Sequence, residues 1–188
     1  ICDAAIVGQA MAGCELVVHF AAETHVDRSI TDAAPFLRTN VEGTHTMLRC
    51  AAQVGVKRFV HMSTDEVYGP IVKGAHAESD PLRPRSPYAA RKAAGDLLVF
   101  AHQATYRVPA VIVRCTNVYG PRQLPEKFVP LSITNALDER PLPIYGDGQQ
   151  RRAWLFVEDL CRALELVAGR GEAGSIYNVG SAWEFANL

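Results

Sequence analysis

The order of segments along this chain predicts an α/β protein with a doubly wound parallel sheet and part of a smaller C-terminal domain. Three short apolar runs lack the alternation of a half-exposed strand, two long alanine-rich segments carry helical periodicity, and the two kinds alternate. Residues 15–22 (ELVVHFAA) are nearly continuously apolar and end in small residues, as expected of a strand buried on both faces. Residues 36–54 read as helix, and residues 58–63 (RFVHMS) as the second strand. A second long helix is expected over 87–106, with Ser86 as its N-cap and Pro87 at its first position, where the missing N–H would have no partner anyway. Residues 110–115 (AVIVRC) supply the third strand.

Past residue 120 the pattern loosens. Pro121, Pro125, Pro130, Pro141 and Pro143 interrupt any long element, and Asp147 with Gly148 marks a turn. Residues 158–168 read as helix and 175–179 as a strand returning to the sheet. The expected division is 1–120 for the sheet domain and 121–188 for a second region with interleaved return elements. Residues 169–174 (GRGEAG) match G-x-G-x-x-G letter for letter. They follow a helix and precede a strand, the reverse of what a phosphate-binding turn needs, and so read as a surface loop.

Composition narrows the function classes. At 48% hydrophobic and 21% charged, 188 residues can bury one substantial core. A formal net charge of -1 gives no overall pull on nucleic acid or an anionic membrane. No apolar run approaches the roughly 18 residues that cross a bilayer, and residues 1–20 lack a secretory leader's pattern. Neither a nucleic-acid nor a membrane partner is expected, and the chain is placed in the cytoplasm. Its five cysteines are odd in number and contain no C-x-x-C pair, as suits reduced thiols. No H-E-x-x-H or clustered Cys/His set is present, and no metal is expected.

Two segments carry proton-transfer chemistry: residues 63–69 (STDEVYG) and residues 88–92 (YAARK). Tyr88 and Lys92 are four apart and share a helix face, and an ammonium beside a phenol favours phenolate and lowers its pKa. A tyrosine so tuned is a general base near neutral pH. Thr64, Asp65 and Glu66 follow the second strand, at the carboxyl end where open α/β sheets bind ligands. On a regular strand the two carboxylates would point to opposite faces, so serving one substrate requires the chain to turn there. Taken alone, the acidic pair reads first as a solvated loop or a helix cap, and the Tyr-x-x-x-Lys spacing as a surface pair.

Together with residues 20–30 (FAAETHVDRSI), 40–44 (NVEGT), 114–121 (RCTNVYGP), 125–127 (PEK), 145–148 (YGDG) and 154–159 (WLFVED), these segments resemble the extended short-chain dehydrogenase/reductase family. Within it the resemblance is to the dTDP-glucose 4,6-dehydratase branch, and it runs from Ile1 to about residue 180. Related epimerases usually carry a small residue or serine where this chain has Asp65 and Glu66. The resemblance implies a Rossmann-like fold, with 1–120 a partial NAD-binding domain and 121–188 a partial sugar-nucleotide-binding region.

It also implies a mechanism. Tyr88, helped by Thr64, would take the proton of the sugar 4-hydroxyl while hydride passes from C4 to NAD. The resulting 4-ketone acidifies C5–H. Glu66 would remove that proton and Asp65 would protonate the departing 6-hydroxyl, after which hydride returns to C6. One carboxyl must be protonated while its neighbour is ionised, a division that a shielded carboxylate pair supports.

By the same resemblance Lys92 would also hold the nicotinamide ribose. Ile1, Phe20, Ala21, Ala22, Asn40 and Ser63 would join Tyr88 and Lys92 around the cofactor. His25, Asn117, Lys127 and Arg152 would face the dTDP-hexose substrate. The implied assembly is a homodimer through residues near 36–54 and 87–106. UDP-sugar dehydratases, decarboxylases and 4-epimerases of the superfamily, and a non-catalytic fragment of such an enzyme, are the alternatives. The family's cofactor strand, glycine-rich turn and first helix would precede Ile1, and further elements would follow Leu188, so the chain reads as an interior segment of a longer enzyme. Two positions depart from the pattern: Ala153 stands where aspartate is common, and Leu160 where histidine is frequent.

Overall fold

The computed structural model describes residues 1–71, 74–144, 146–181 and 183–186, so Tyr145 of the YGDG segment lies outside the described residues. In chain order the elements are α1 (Ala4–Met11), β1 (Leu16–His19), α2 (Val26–Thr31), α3 (Ala34–Leu37), a π turn (Arg38–Gly43) and α4 (Thr44–Val54). They continue with β2 (Arg58–Thr64), a 3-10 turn (Asp65–Tyr68), α5 (Pro87–Tyr106), β3 (Ala110–Cys115), β4 (Asn117–Tyr119) and α6 (Phe128–Leu137). Last come β5 (Arg151–Phe156), α7 (Val157–Arg170), β6 (Ile176–Val179) and β7 (Glu184–Ala186). Two compact units result. One comprises Ile1–Cys115 with Leu164–Asn178, the other Thr116–Ala163 with Val179–Leu188.

The first unit carries a sheet of Rossmann type in the order β1-β2-β3-β6, with β1, β2 and β3 parallel. Register assigns its helix-facing side. Val17 pairs with Phe59 and His19 with His61, while Phe59, His61 and Ser63 pair with Ala110, Ile112 and Arg114. The apolar members of this face pack against Val7 and Met11 of α1, Leu48 and Ala51 of α4 and Val99 of α5. Phe59, Leu48 and Ile112 are fully buried, and each such side chain contributes about 1.5–3 kcal/mol of transfer free energy.

Caps define the helix starts. Asp3 Oδ1 accepts from the N–H groups of Ala5 and Ile6 at 2.9 and 3.1 Å, beginning α1. Ser86 Oγ accepts from Ala89 N at 3.0 Å, and Pro87 opens α5.

Two expectations change. Residues 15–22 do not form a strand buried on both faces: β1 is only Leu16–His19, and Leu16 and Val18 are 46% and 37% exposed. The strand stands at the end of the described sheet order, with these two side chains on its less covered face. The helical stretch expected over 36–54 begins at Ala34 and is interrupted by the π turn that contains Asn40. Residues 171–174 of the glycine-rich stretch form the link from α7 to β6, with Gly174 N donating to Ala110 O at 2.7 Å.

In the second unit β4 runs parallel to β5 and β5 antiparallel to β7. Trp154 on β5 stacks on Phe128 of α6 at 6.1 Å and meets Tyr119 of β4 edge-on at 6.4 Å. Leu160 is buried in α7. Among the described residues no helix is long and apolar enough to cross a membrane.

Candidate active site

The site begins where β2 ends. Thr64 is extended, and its Oγ1 accepts from Glu66 N at 3.2 Å while lying 3.2 Å from Asp65 Oδ1, to which it donates. This cap turns the chain at once into the 3-10 segment. The turn required for both carboxylates to serve one site is therefore present, and Asp65 and Glu66 are both half-buried on it. Gly69 closes the segment at φ +88, where a Cβ would fall 2.5 Å from Arg83 O.

Tyr88 and Lys92 occupy the first turns of α5, but their electrostatics differ from the sequence expectation. The Tyr88 phenol is pushed above its ordinary value of 10, first by burial and then by Glu66, Cys115 and Asp65; a hydrogen bond with Thr64 acts in the opposite direction. The net shift is upward although Lys92 stands one helical turn away. The lysine is buried, its Nζ donates to Met62 O at 2.6 Å, and burial lowers its own pKa. Desolvation and two nearby carboxylates thus outweigh the expected pull of the ammonium. The same influences place Glu66 and Asp65 within electrostatic reach of the Tyr88 hydroxyl.

Asn40 is buried, and both ends of its amide are engaged. Its Oδ1 accepts from Glu23 N at 2.8 Å and its Nδ2 donates to Glu23 O at 2.9 Å. The π turn thereby orders the segment just after β1. Ile1, Ala21 and Ala22 line a cleft of about 890 Å³ together with Asp3 and Arg38, two residues absent from the sequence reading. Phe20 is exposed beside it, and Ser63 is buried with its carbonyl accepting from Cys115 Sγ at 3.7 Å. His25 is half-buried, immediately before α2.

Asn117, Lys127 and Arg152 belong to the second unit. Asn117 pairs in register with Trp154, so Arg152 lies two residues back along the neighbouring strand. Lys127 stands at the start of α6, and Arg152 donates from Nη1 to Arg151 O at 3.0 Å. Thr64, Asp65, Glu66, Tyr88 and Lys92 are gathered within the first unit; Asn117 and Arg152 occupy adjacent strands of the second.

Sequence reasoning missed Cys115 as part of the site. Its thiol is pushed up to about 11, mainly by burial, so it stands near Tyr88 and Lys92 as a neutral group at neutral pH. The available signal was its position at the carboxyl end of a parallel strand.

A model of the NAD dependent epimerase/dehydratase family matches residues 1–180. The chain belongs to that family. Members similar to it include a dTDP-glucose 4,6-dehydratase of Streptomyces niveus, 53% identical over 188 residues, which are all of this chain and 56% of that protein. Among solved structures, the double mutant of DesIV, a dTDP-glucose 4,6-dehydratase from Streptomyces venezuelae with NAD and DAU bound, superposes with a TM-score of 0.97 at 50% identity. The match covers 99% of this chain and 58% of that one. A UDP-glucuronic acid 4-epimerase from Bacillus cereus, in complex with UDP-glucuronic acid and NAD, is 30% identical with a TM-score of 0.91, covering 97% of this chain and 59% of that one. The chain spans between 56% and 60% of the length of the curated family members it matches.

Proposed function

We propose that this chain is the catalytic part of a dTDP-glucose 4,6-dehydratase that uses NAD. The observation that carries the reading is the acidic pair Asp65 and Glu66 on a turn within electrostatic reach of Tyr88, with Lys92 one helical turn further on. A 4-epimerase needs one base for the sugar hydroxyl. A 4,6-dehydratase needs in addition a base for C5–H and an acid for the leaving 6-hydroxyl, and this site has a candidate for each. Similarity of 53% to a dTDP-glucose 4,6-dehydratase against 30% to a UDP-glucuronic acid 4-epimerase supports the same choice.

The cleft lined by Ile1, Ala21 and Ala22 fits the adenosine end of NAD, because small side chains leave room for a flat base against the backbone. Lys92 supplies a cation for the nicotinamide ribose. Bound there, NAD would supply a reversible hydride acceptor for the oxidation at C4 and the reduction at C6. Tyr88, steadied by Thr64, takes the proton of the 4-hydroxyl as its phenolate, a form that burial and the two carboxylates disfavour and that the cationic nicotinamide ring of bound NAD, with Lys92, would favour. Glu66 then removes the C5 proton and Asp65 protonates the departing 6-hydroxyl, so water leaves across C5 and C6. Asn117, Lys127 and Arg152 hold the nucleotide diphosphate through amide and cationic donors, and His25 lies on the sugar side.

Five unpaired cysteines suit a reducing cytoplasm, where we place the enzyme. A homodimer through α4 and α5 completes the reading; Leu97 and Tyr106 of α5 are 60% and 63% exposed and available to a second copy. The test is paired incubation of the whole protein with NAD and either dTDP-glucose or UDP-glucose, read by mass spectrometry for loss of water. Water loss from the dTDP sugar, abolished in Glu66→Gln, is expected. Epimerisation without water loss, or no binding of NAD, would refute the assignment.

A further inference from the structure

One run of buried polar groups, Ser63 apart, has no role in these steps. On the helix-facing side of the sheet, His19, His61, Ser63 and Arg114 stand toward the carboxyl ends of their strands. Asp96 faces them from α5, four residues beyond Lys92, with its side chain fully buried. Its Oδ2 accepts from Arg114 Nε at 2.9 Å. Arg114 is buried too, and its Nη1 donates to the Tyr68 hydroxyl at 2.7 Å while its guanidinium lies 4.7 Å from the centre of that ring. Tyr68 is the last residue of the turn that carries Asp65 and Glu66. Its hydroxyl donates onward to Asn178 Oδ1 at 2.8 Å, and its ring stacks on His76 at 4.8 Å.

A buried ion pair costs much of its Coulombic gain in desolvation, so stability alone does not account for one that apolar residues could replace. The location of this pair is informative. One guanidinium joins the carboxylate beside Lys92 to the turn bearing the acidic pair, so three elements, α5, β3 and the 3-10 turn, meet at a single side chain. We propose that Asp96 and Arg114 are positioning residues: Asp96 keeps Lys92 cationic in its buried place, and Arg114 fixes the turn of Asp65 and Glu66 against the helix of Tyr88. The kinetic consequence rests on the dehydratase reading; the electrostatic one does not.

Among the groups that act on Lys92, Asp96 is the foremost anion. From β1 and β2, His19 and His61 are held neutral near pH 7, both chiefly by burial. From β3, Cys115 is protonated below about 11, and Arg114 is a cation. Burial pulls Lys92 toward the neutral amine, and Asp96 is the foremost influence against it. Burial also favours protonation of Asp96 itself, and Arg114 is the foremost influence against that.

The test titrates Lys92 Nζ by 15N NMR in the whole protein, with the resonance assigned through Lys92→Arg. Asp96→Asn is expected to bring the midpoint about 1–3 pH units lower; an unmoved midpoint overturns the proposal. Should that variant not fold, Asp96→Glu keeps the charge and must keep the wild-type midpoint, and a fall overturns the proposal equally. Tyr68→Phe retains the ring and leaves the midpoint in place, yet kcat for dTDP-glucose falls about 10- to 100-fold with KM near the wild-type value, because the acidic turn has lost its tie to α5. A wild-type kcat in Tyr68→Phe overturns the role of Arg114. If the wild type turns over no dTDP-glucose, the dehydratase reading fails, and the Lys92 midpoint alone decides the proposal.

Discussion

Glu66 owes its placement to a single hydroxyl: Thr64 Oγ1 receives its backbone N–H and turns the chain before the strand can carry the next side chain to the opposite face. As the base for C5–H, Glu66→Gln is expected to slow dehydration by about 10²–10⁴ while leaving NAD binding intact, measured by single-turnover kinetics and cofactor titration. Tyr88 bears on stability at high pH. Its folded-state pKa is raised above 10, so an unfolded chain ionises first as pH climbs past that value. The stability tied to this group is complete below pH 10 and is lost as pH rises further. Tyr88→Phe should therefore flatten the alkaline decline in urea unfolding. The residue types of this site were legible in sequence because a phenol, an amine and two carboxylates at these spacings are uncommon together. Their electrostatic balance was not: the i,i+4 spacing suggests that Lys92 tunes Tyr88, whereas burial and a carbonyl thirty residues away at Met62 claim the ammonium.

At the scale of elements, β1 and β2 place His19 and His61 side by side, their rings 5.4 Å apart, on the buried face of the sheet. Burial lowers His19 from 6.5 to about 4 and His61 well below 6.5. Between pH 6.5 and about 4 the unfolded chain binds protons that the folded one refuses, so stability present above 6.5 falls as the pH drops. His19 alone accounts for about 3 kcal/mol of that loss by order of magnitude, and His19→Gln should reduce the acid slope in pH-dependent denaturation. Helix α5 depends on its cap, and Ser86→Ala should cost about 1 kcal/mol, read as a shift in the urea midpoint without change in slope. The cap, the proline after it and the three core strands could be read from local chemistry. α1 and α2 could not, because eight and six residues are too few to declare a helical period. The π turn was equally hidden, since it serves Asn40's contact with Glu23, a partner 17 positions away.

For the molecule as a whole, the parallel sheet was legible because apolar runs and helices alternate. Leu16, Val18 and the nearby Phe20 are exposed apolar residues, and among the described residues β1 pairs with β2 alone. The 188-residue chain by itself is expected to self-associate, and Val18→Lys should reduce that association in sedimentation velocity. The division after Cys115 and the return of Leu164–Asn178 to the first unit reflect pairing between segments far apart in sequence. The most direct measurement follows a deuterium label. With dTDP-glucose deuterated at C4, the whole protein should release water and deliver the label to C6 of a 4-keto-6-deoxy sugar. A product that keeps its oxygen and bears deuterium at C4 would show a 4-epimerase, and would contradict the roles given to Asp65 and Glu66.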